Sequence, residues 1–230
     1  MSIFAIGDLH LSGEPPVKPM EIFGEHWLNH KEKIKSNWLS SVTEQDTVII
    51  CGDISWALQL NEAKPDLDFI AALPGQKILL RGNHDYWWTS LKKMQQFTQN
   101  QFLFLQNNCI VADETVICGT RGWILPSSEN FTEDDSKIYQ RESMRLELSL
   151  QAAKNSGLTN IIAAFHYPPL FESNEQNLFT DLLEKYQVQQ CIYGHIHGEN
   201  HVATFEGLRN GIKYKLVSCD TQEFKLTKIY

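Results

Sequence analysis

Five short apolar runs in this 230-residue chain end in residues whose side chains can bind a metal ion. Residues 2–6 lead into Gly7-Asp8-Leu9-His10. Thr47–Cys51 leads into Gly52-Asp53. Residues 77–80 lead into Arg81-Gly82-Asn83-His84-Asp85. Asn160–Phe165 stops at His166, and Gln190–Tyr193 stops at Gly194-His195-Ile196-His197. Nearly continuous apolar runs of this length are what strands buried on both faces require. In open α/β sheets, sites gather beyond the carboxyl ends of such strands. One ending of this kind carries little information. Five in one chain point to a single site.

Between these runs the pattern changes to helical spacing. Trp27, Ile34 and Trp38 recur in 24–42, and this spacing predicts a helix there. Further helices are expected over 62–73, 88–99, 136–155 and 174–186, the fourth stopped by Gly157. Short strands are expected at Phe102–Leu105, 109–112 and 115–118, the last two joined through Asp113-Glu114. Residues 120–135 read as a polar loop, and 201–230 alternate like antiparallel strands around Gly207 and Gly211. Strands alternating with helices give an α/β class. With no linker, repeat or low-complexity tract, one domain spanning 1–230 is expected.

Composition excludes several classes. No apolar run approaches the roughly 20 residues of a membrane-spanning helix. The N-terminus lacks a basic leader and reaches Asp8 too soon for a secretory signal, so a cytoplasmic protein is expected. Cys51, Cys109, Cys118, Cys191 and Cys219 are odd in number and widely spaced, as for free buried thiols. The net charge of −8 and the absence of a Lys/Arg cluster argue against long nucleic acid as partner. A small nucleotide is not excluded, and oligomeric state is unspecified.

The endings make chemical sense together. Asp8 and His10 are two apart, as are His195 and His197, and in extended chain such pairs face one side. The preceding glycines permit sharp turns. Carboxylate, imidazole and amide oxygen suit Mn²⁺, Fe or Zn²⁺ rather than a thiolate centre. Two ions need a bridging group, and Asp53 is the natural candidate. Such a pair acidifies a shared water and offsets charge on the phosphoryl oxygens.

Gly-Asp-x-His, Gly-Asp, Gly-Asn-His-Asp, a later His and Gly-His-x-His occur here in that order, from Gly7 to His197. In this the sequence resembles the calcineurin-like metallophosphoesterases. The resemblance implies a sandwich of two mixed β-sheets flanked by helices. It implies two divalent ions, Mn²⁺ first, with Fe and Zn²⁺ as alternatives. Asp8, His10, Asp53 and His197 would hold one ion, and Asp53, Asn83, His166 and His195 the other. Hydroxide between the ions would attack phosphorus in a small monoester or diester, with His84 assisting the leaving group. Protein Ser/Thr phosphatases of the family carry Gly-Asp-x-x-Asp-Arg-Gly and a Glu after the His. Here Ile54-Ser55-Trp56-Ala57 follows Asp53 and Asp85 follows His84, so that activity is not expected. The group that orients His84 is unassigned.

Other residues divide between chemistry and packing. Arg81 is a candidate substrate-phosphate ligand, or a partner for a nearby carboxylate. Arg121 is a weaker candidate of the same kind. Trp87, Trp88 and Trp123 are expected to pack in the core or line a pocket rather than stack on a base. His26 and His30 have a metal-like spacing but no matched ligand nearby, so a solvated helix face is expected. His201 reads as a plain strand residue. Two other functions are compatible with the motifs: a nuclease or cyclic-nucleotide phosphodiesterase, and a non-catalytic metal-binding scaffold for a partner protein.

Overall fold

The computed structural model describes residues 1–198 and 204–230, so His201 and the start of the tail lie outside the described residues. The first half runs β1 (Ile3–Ile6), α1 (His30–Ser41), β2 (Thr47–Cys51), α2 (Lys64–Ala71), β3 (Gln76–Leu80), α3 (Leu91–Phe97) and β4 (Phe102–Leu105). The second runs β5 (Ile110–Ala112), β6 (Thr115–Thr120), α4 (Glu133–Asn155), β7 (Asn160–Phe165), α5 (Leu178–Lys185) and β8 (Gln190–Tyr193). It closes with β9 (Gly207–Arg209), β10 (Ile212–Leu216) and β11 (Thr227–Lys228).

The strands form two mixed sheets, ordered β11-β1-β2-β3-β4 and β5-β6-β7-β8-β10-β9. In the first, β1 to β4 are parallel and β11 returns antiparallel beside β1. In the second, β6, β7, β8 and β10 are parallel, with β5 and β9 antiparallel at the edges. Register brings the carboxyl ends level: Ile6 faces Ile50, Cys51 faces Leu80, and Thr120 faces Phe165. The five polar endings therefore meet at one edge of the sandwich.

Side-chain alternation separates the layers. Ile3, Ala5, Ile49, Cys51 and Ile78 point between the sheets, against Ile117, Ile162, Ala164 and Ile192. Phe4, Ile6, Val48 and Ile50 point the other way, onto Ile34 and Trp38 of α1 and Leu67 and Ile70 of α2. Val116, Cys118, Ala163 and Cys191 meet Leu146 and Leu150 of α4 and Phe179 and Leu183 of α5. The result is a four-layer helix–sheet–sheet–helix sandwich, which explains the continuous apolar runs. Each fully buried Ile, Leu or Phe contributes about 1.5–3 kcal/mol over an exposed one.

Several elements differ from their sequence expectations for local reasons. The helix expected over 24–42 begins only at His30, because Gly24 (φ 133°) and Asn29 (φ 55°) break it. Trp27 sits instead in a short 3-10 turn, Glu25–Trp27. His30 is buried against Trp27 and Phe224 rather than solvated, which corrects that reading; His26 is exposed. Helix α4 starts three residues early at a reciprocal cap between Thr132 and Asp135. Helix α5 starts late, at the cap built by Asn177 and Thr180. In the tail, β9 and β10 do form a hairpin through Asn210-Gly211, but β10 also joins β8 in parallel. Trp87 and Trp88 are core residues, and the five cysteines are unpaired. No helix among the described residues is long and apolar enough to cross a membrane.

Candidate metal centre

The loops after the strands take an uncommon backbone form. Asp8, His10, Asp53 and His195 have φ values of 60°, 45°, 49° and 73°. Left-handed backbone at non-glycine residues costs roughly 1–3 kcal/mol and persists where the surroundings enforce it. Here hydrogen bonds between loops do so. The Asp8 amide donates to the Gly52 carbonyl at 2.9 Å, and the His10 amide to the Asp53 carbonyl at 2.9 Å. The amide of His195 donates to both Asp8 carboxylate oxygens, at 3.1 and 2.9 Å, and Ser218 Oγ donates to Oδ2 at 2.9 Å. Gly82 is needed for close approach rather than for a turn: a Cβ there would collide with the Asp53 carboxylate.

All seven strand-end residues converge. His10 Nε2 lies 3.2 Å from His197 Nε2, which is 3.5 Å from Asp8 Oδ1. His10 Nε2 is 3.8 Å from Asp53 Oδ2. On the other side, His166 Nε2 lies 2.6 Å from Asn83 Oδ1, 3.3 Å from His195 Nδ1 and 3.5 Å from Asp53 Oδ1. Asp53 thus turns one oxygen to each group. Asp8, His10 and His197 form one cluster able to hold a metal ion, and Asp8, Asp53 and His166 another.

The donor set fits metal ions. His166 Nδ1 is 2.9 Å from the Cys51 carbonyl, and His197 Nδ1 is 2.9 Å from Asp220 Oδ1. Each ring therefore spends its Nδ1–H on an acceptor and, when neutral, turns a lone pair on Nε2 inward. Lone pairs then face lone pairs, an arrangement that needs a cation or a proton between them. Bonds of about 2.0–2.2 Å to one ion place neighbouring donor atoms roughly 3.0–3.5 Å apart, close to the separations here.

Electrostatics agree. Burial alone would raise the Asp8 carboxyl, but His197, His166 and His10 hold it well below the usual carboxylate range. Burial and the charge of Asp8 push Asp53 up to about 8. Burial also lowers His10, His166 and His195, the last to about 3. His197 is the exception: against its burial, Asp8 and Asp220 raise it to about 10.

A cavity of about 500 Å³ opens over this cluster, lined by His10, Asp53, His84, His195 and His197 and walled by Trp27, Trp56 and Met20. His84 stands at its side, its ring centroid 4.4 Å from Trp56. Its backbone amide donates to Asp53 Oδ1 at 2.8 Å, which fixes its position. Its ring makes no hydrogen bond among the described residues. Burial and the Lys18 charge lower its pKa.

The sequence matches the calcineurin-like phosphoesterase family over residues 1–199. The chain belongs to the calcineurin-like phosphoesterases. It is accordingly a metal-dependent phosphoesterase. Among solved structures, a protein from Thermus thermophilus has a TM-score of 0.59 at 11% identity, covering 99% of this chain and 97% of that one. A protein of unknown function from Aquifex aeolicus has 0.51 at 18% identity, covering 99% and 95%. A calcineurin-like phosphoesterase from Bacillus subtilis has 0.52 at 16% identity, covering 96% and 82%. At these identities the likeness concerns the fold. The comparison with curated proteins returned no match.

Three residues beside the cluster carry roles that the sequence does not reveal. Asp220, in a short 3-10 turn after β10, holds His197 Nδ1 and also accepts from the Gly198 amide at 2.9 Å. Ser218 holds Asp8. Asp85, fully buried, accepts from the amides of Ile54, Ser55 and Gly82 and from Trp87 Nε1, at 2.7–3.2 Å. It fastens the Asp53 loop to the Asn83 loop and makes no hydrogen bond to the His84 ring. Burial and the Asp53 charge raise it to about 6. Arg81 lies outside the metal-cluster cavity; it lines a separate one with Arg121.

Proposed function

We propose that this phosphoesterase hydrolyses a small phosphate monoester or diester at a pair of divalent ions, Mn²⁺ before Fe or Zn²⁺. Asp8, His10, Asp53 and His197 hold one ion, and Asp53, Asn83, His166 and His195 the other. The observation that carries this reading is the Asp53 carboxylate, whose two oxygens face the two donor groups separately. Bound ions supply charge neutralisation at the phosphoryl oxygens and a water acidic enough to be nucleophilic near neutral pH.

The protein's own part is positioning and proton transfer. The Asp8 and Asp53 loops are locked together before substrate arrives, so little reorganisation is left for the reaction. Trp27, Trp56 and Met20 form an apolar wall that limits water beside the leaving group. Neither ring nitrogen of His84 is engaged by a hydrogen bond among the described residues, so both can face the substrate. An anionic phosphoryl group opposes the effects of burial and Lys18 and favours the protonated ring, which donates to the departing oxygen. The five unpaired cysteines suit a reducing compartment, and we place the enzyme in the cytoplasm.

The test is a screen of Mn²⁺-loaded protein against phosphomonoesters, phosphodiesters and nucleotides. Turnover that disappears with chelator and returns with metal supports the reading. Stoichiometric metal with no turnover of any ester would leave a binding scaffold instead.

A further inference from the structure

The chain has five arginines, and four of them, Arg81, Arg121, Arg141 and Arg145, are not scattered. Three line a cavity of about 320 Å³ between the ends of β3, β4 and β6 and the face of α4. Glu142 is the one carboxylate among its described lining residues. It is 1% exposed and already engaged. It accepts from Arg145 Nη1 at 2.7 Å and from Thr120 Oγ1 at 2.7 Å, and lies 3.8 Å from Arg121 and 3.9 Å from Arg141. Three guanidinium groups against one carboxylate leave the cavity positive, in a protein whose net charge is −8.

Two of the donors are also unspent. Nε of Arg81 and Nε of Arg121 are both buried and have no acceptor among the described residues. Arg81 makes no ion pair there either. Buried donors of this kind are rare in folded proteins without a partner. Burial pushes the Arg121 guanidinium below its ordinary value; Glu142 opposes this and the positive charge of Arg81 adds to it. A planar guanidinium fork is matched by a phosphate or carboxylate.

We propose that this cavity is a binding site for a phosphate-class oxyanion, held by Arg81, Arg121 and Arg145. Its place in the fold suits a second anionic group of the substrate. Arg81 is two residues before Asn83. The Arg121 carbonyl accepts from the amides of His166 and Tyr167, at 3.2 and 2.9 Å. The Arg121 guanidinium covers Trp123 at 4.5 Å, Trp123 is 5.2 Å from Tyr167, and the Tyr167 ring is 4.0 Å from His195. The cavity therefore flanks the Asn83–His166–His195 side of the metal cluster. A free phosphate ion would be recognised by the same chemistry. The assignment to a substrate group rests on the proposed phosphoesterase reading; anion binding itself does not.

Two measurements on the metal-loaded enzyme separate these sources. The first is calorimetric titration with inorganic phosphate, on the native protein, Arg145→Gln and Arg81→Gln. Native protein is expected to show a second phosphate site besides the metal centre, weakened at least tenfold in both variants. Arg81→Gln guards against misfolding, since Arg81 has no ion pair among the described residues to lose, and metal content per chain reports the fold. The second is kcat/KM for a series of alkanediol bisphosphates relative to phenyl phosphate. A tenfold fall of that ratio in the variants assigns the site to the substrate. A lost phosphate site with an unmoved ratio assigns it to a free anion. A single phosphate site in the native protein, with a ratio indifferent to both variants, overturns the proposal. Absence of any ester turnover would count against the phosphoesterase reading alone, because the titration still reports on the cavity.

Discussion

Asp220 sits 2.9 Å from His197 Nδ1 and so turns Nε2 of that ring towards His10, 3.2 Å away. Partners of this kind fix the tautomer and raise ligand basicity, and their loss typically costs about 10–100-fold in metal affinity. Asp220→Ala is expected to weaken metal binding by that amount while leaving the fold intact. Competition titration against a fluorescent chelator checks this, and unchanged affinity would remove Asp220 from the site.

Metal binding should release protons. Asp53 is raised to about 8 and His197 to about 10, so both are largely protonated in the metal-free protein at pH 7. A ligand must lose its proton to bind. Affinity therefore rises with pH up to the 8–10 range and falls below it. Calorimetry at pH 7 in two buffers of different ionisation enthalpy is expected to show at least one proton released per chain. Identical apparent enthalpies in both buffers would contradict this.

Asp85 ties the Asp53 loop to the Asn83 loop. Removing its carboxylate leaves four donors to find new partners, three amides and the Trp87 indole. Asp85→Ala is expected to cost about 3–5 kcal/mol of stability. A denaturant midpoint close to that of the native protein would show that the loops are held otherwise.

His84→Ala is expected to keep its metal and lose activity most where the leaving group is poor. General acid assistance typically contributes about 10²–10⁴-fold. An alkyl ester should lose most of that factor and an aryl ester of acidic phenol much less. Equal losses for both would place His84 in charge stabilisation, not proton transfer.

The strands and the seven converging residues were legible because burial on both faces writes an unbroken apolar run. Thr47–Cys51, Phe102–Leu105, Asn160–Phe165 and Gln190–Tyr193 stand as expected. Helix starts were less legible. The apolar spacing of Trp27, Ile34 and Trp38 hid the breaks at Gly24 and Asn29, since a 3-10 turn can carry the same spacing for one turn. The cap at Thr132 and Asp135 is written in sequence as Thr-x-x-Asp, inside a stretch whose polar composition otherwise suits a loop. Asp220 and Ser218 left no signal: they reach the site by the return of β10 beside β8, a long-range pairing that no local pattern records. Sequence offers Arg81 as a phosphate ligand or a carboxylate partner, and among the described residues it has no ion pair and a buried Nε without an acceptor. Its cavity depends on Arg121 and Arg145 arriving from β6 and α4, which spacing alone does not reveal.

The dimetal centre is tested most directly by metal content. Native protein and Asp53→Asn are to be loaded with Mn²⁺, desalted, and measured by elemental analysis per chain. Two ions in the native protein, and loss of at least one together with ester hydrolysis in Asp53→Asn, are the expected results. Native protein that retains no metal, or Asp53→Asn that retains both ions, would contradict the bridging role of Asp53 and the site built around it.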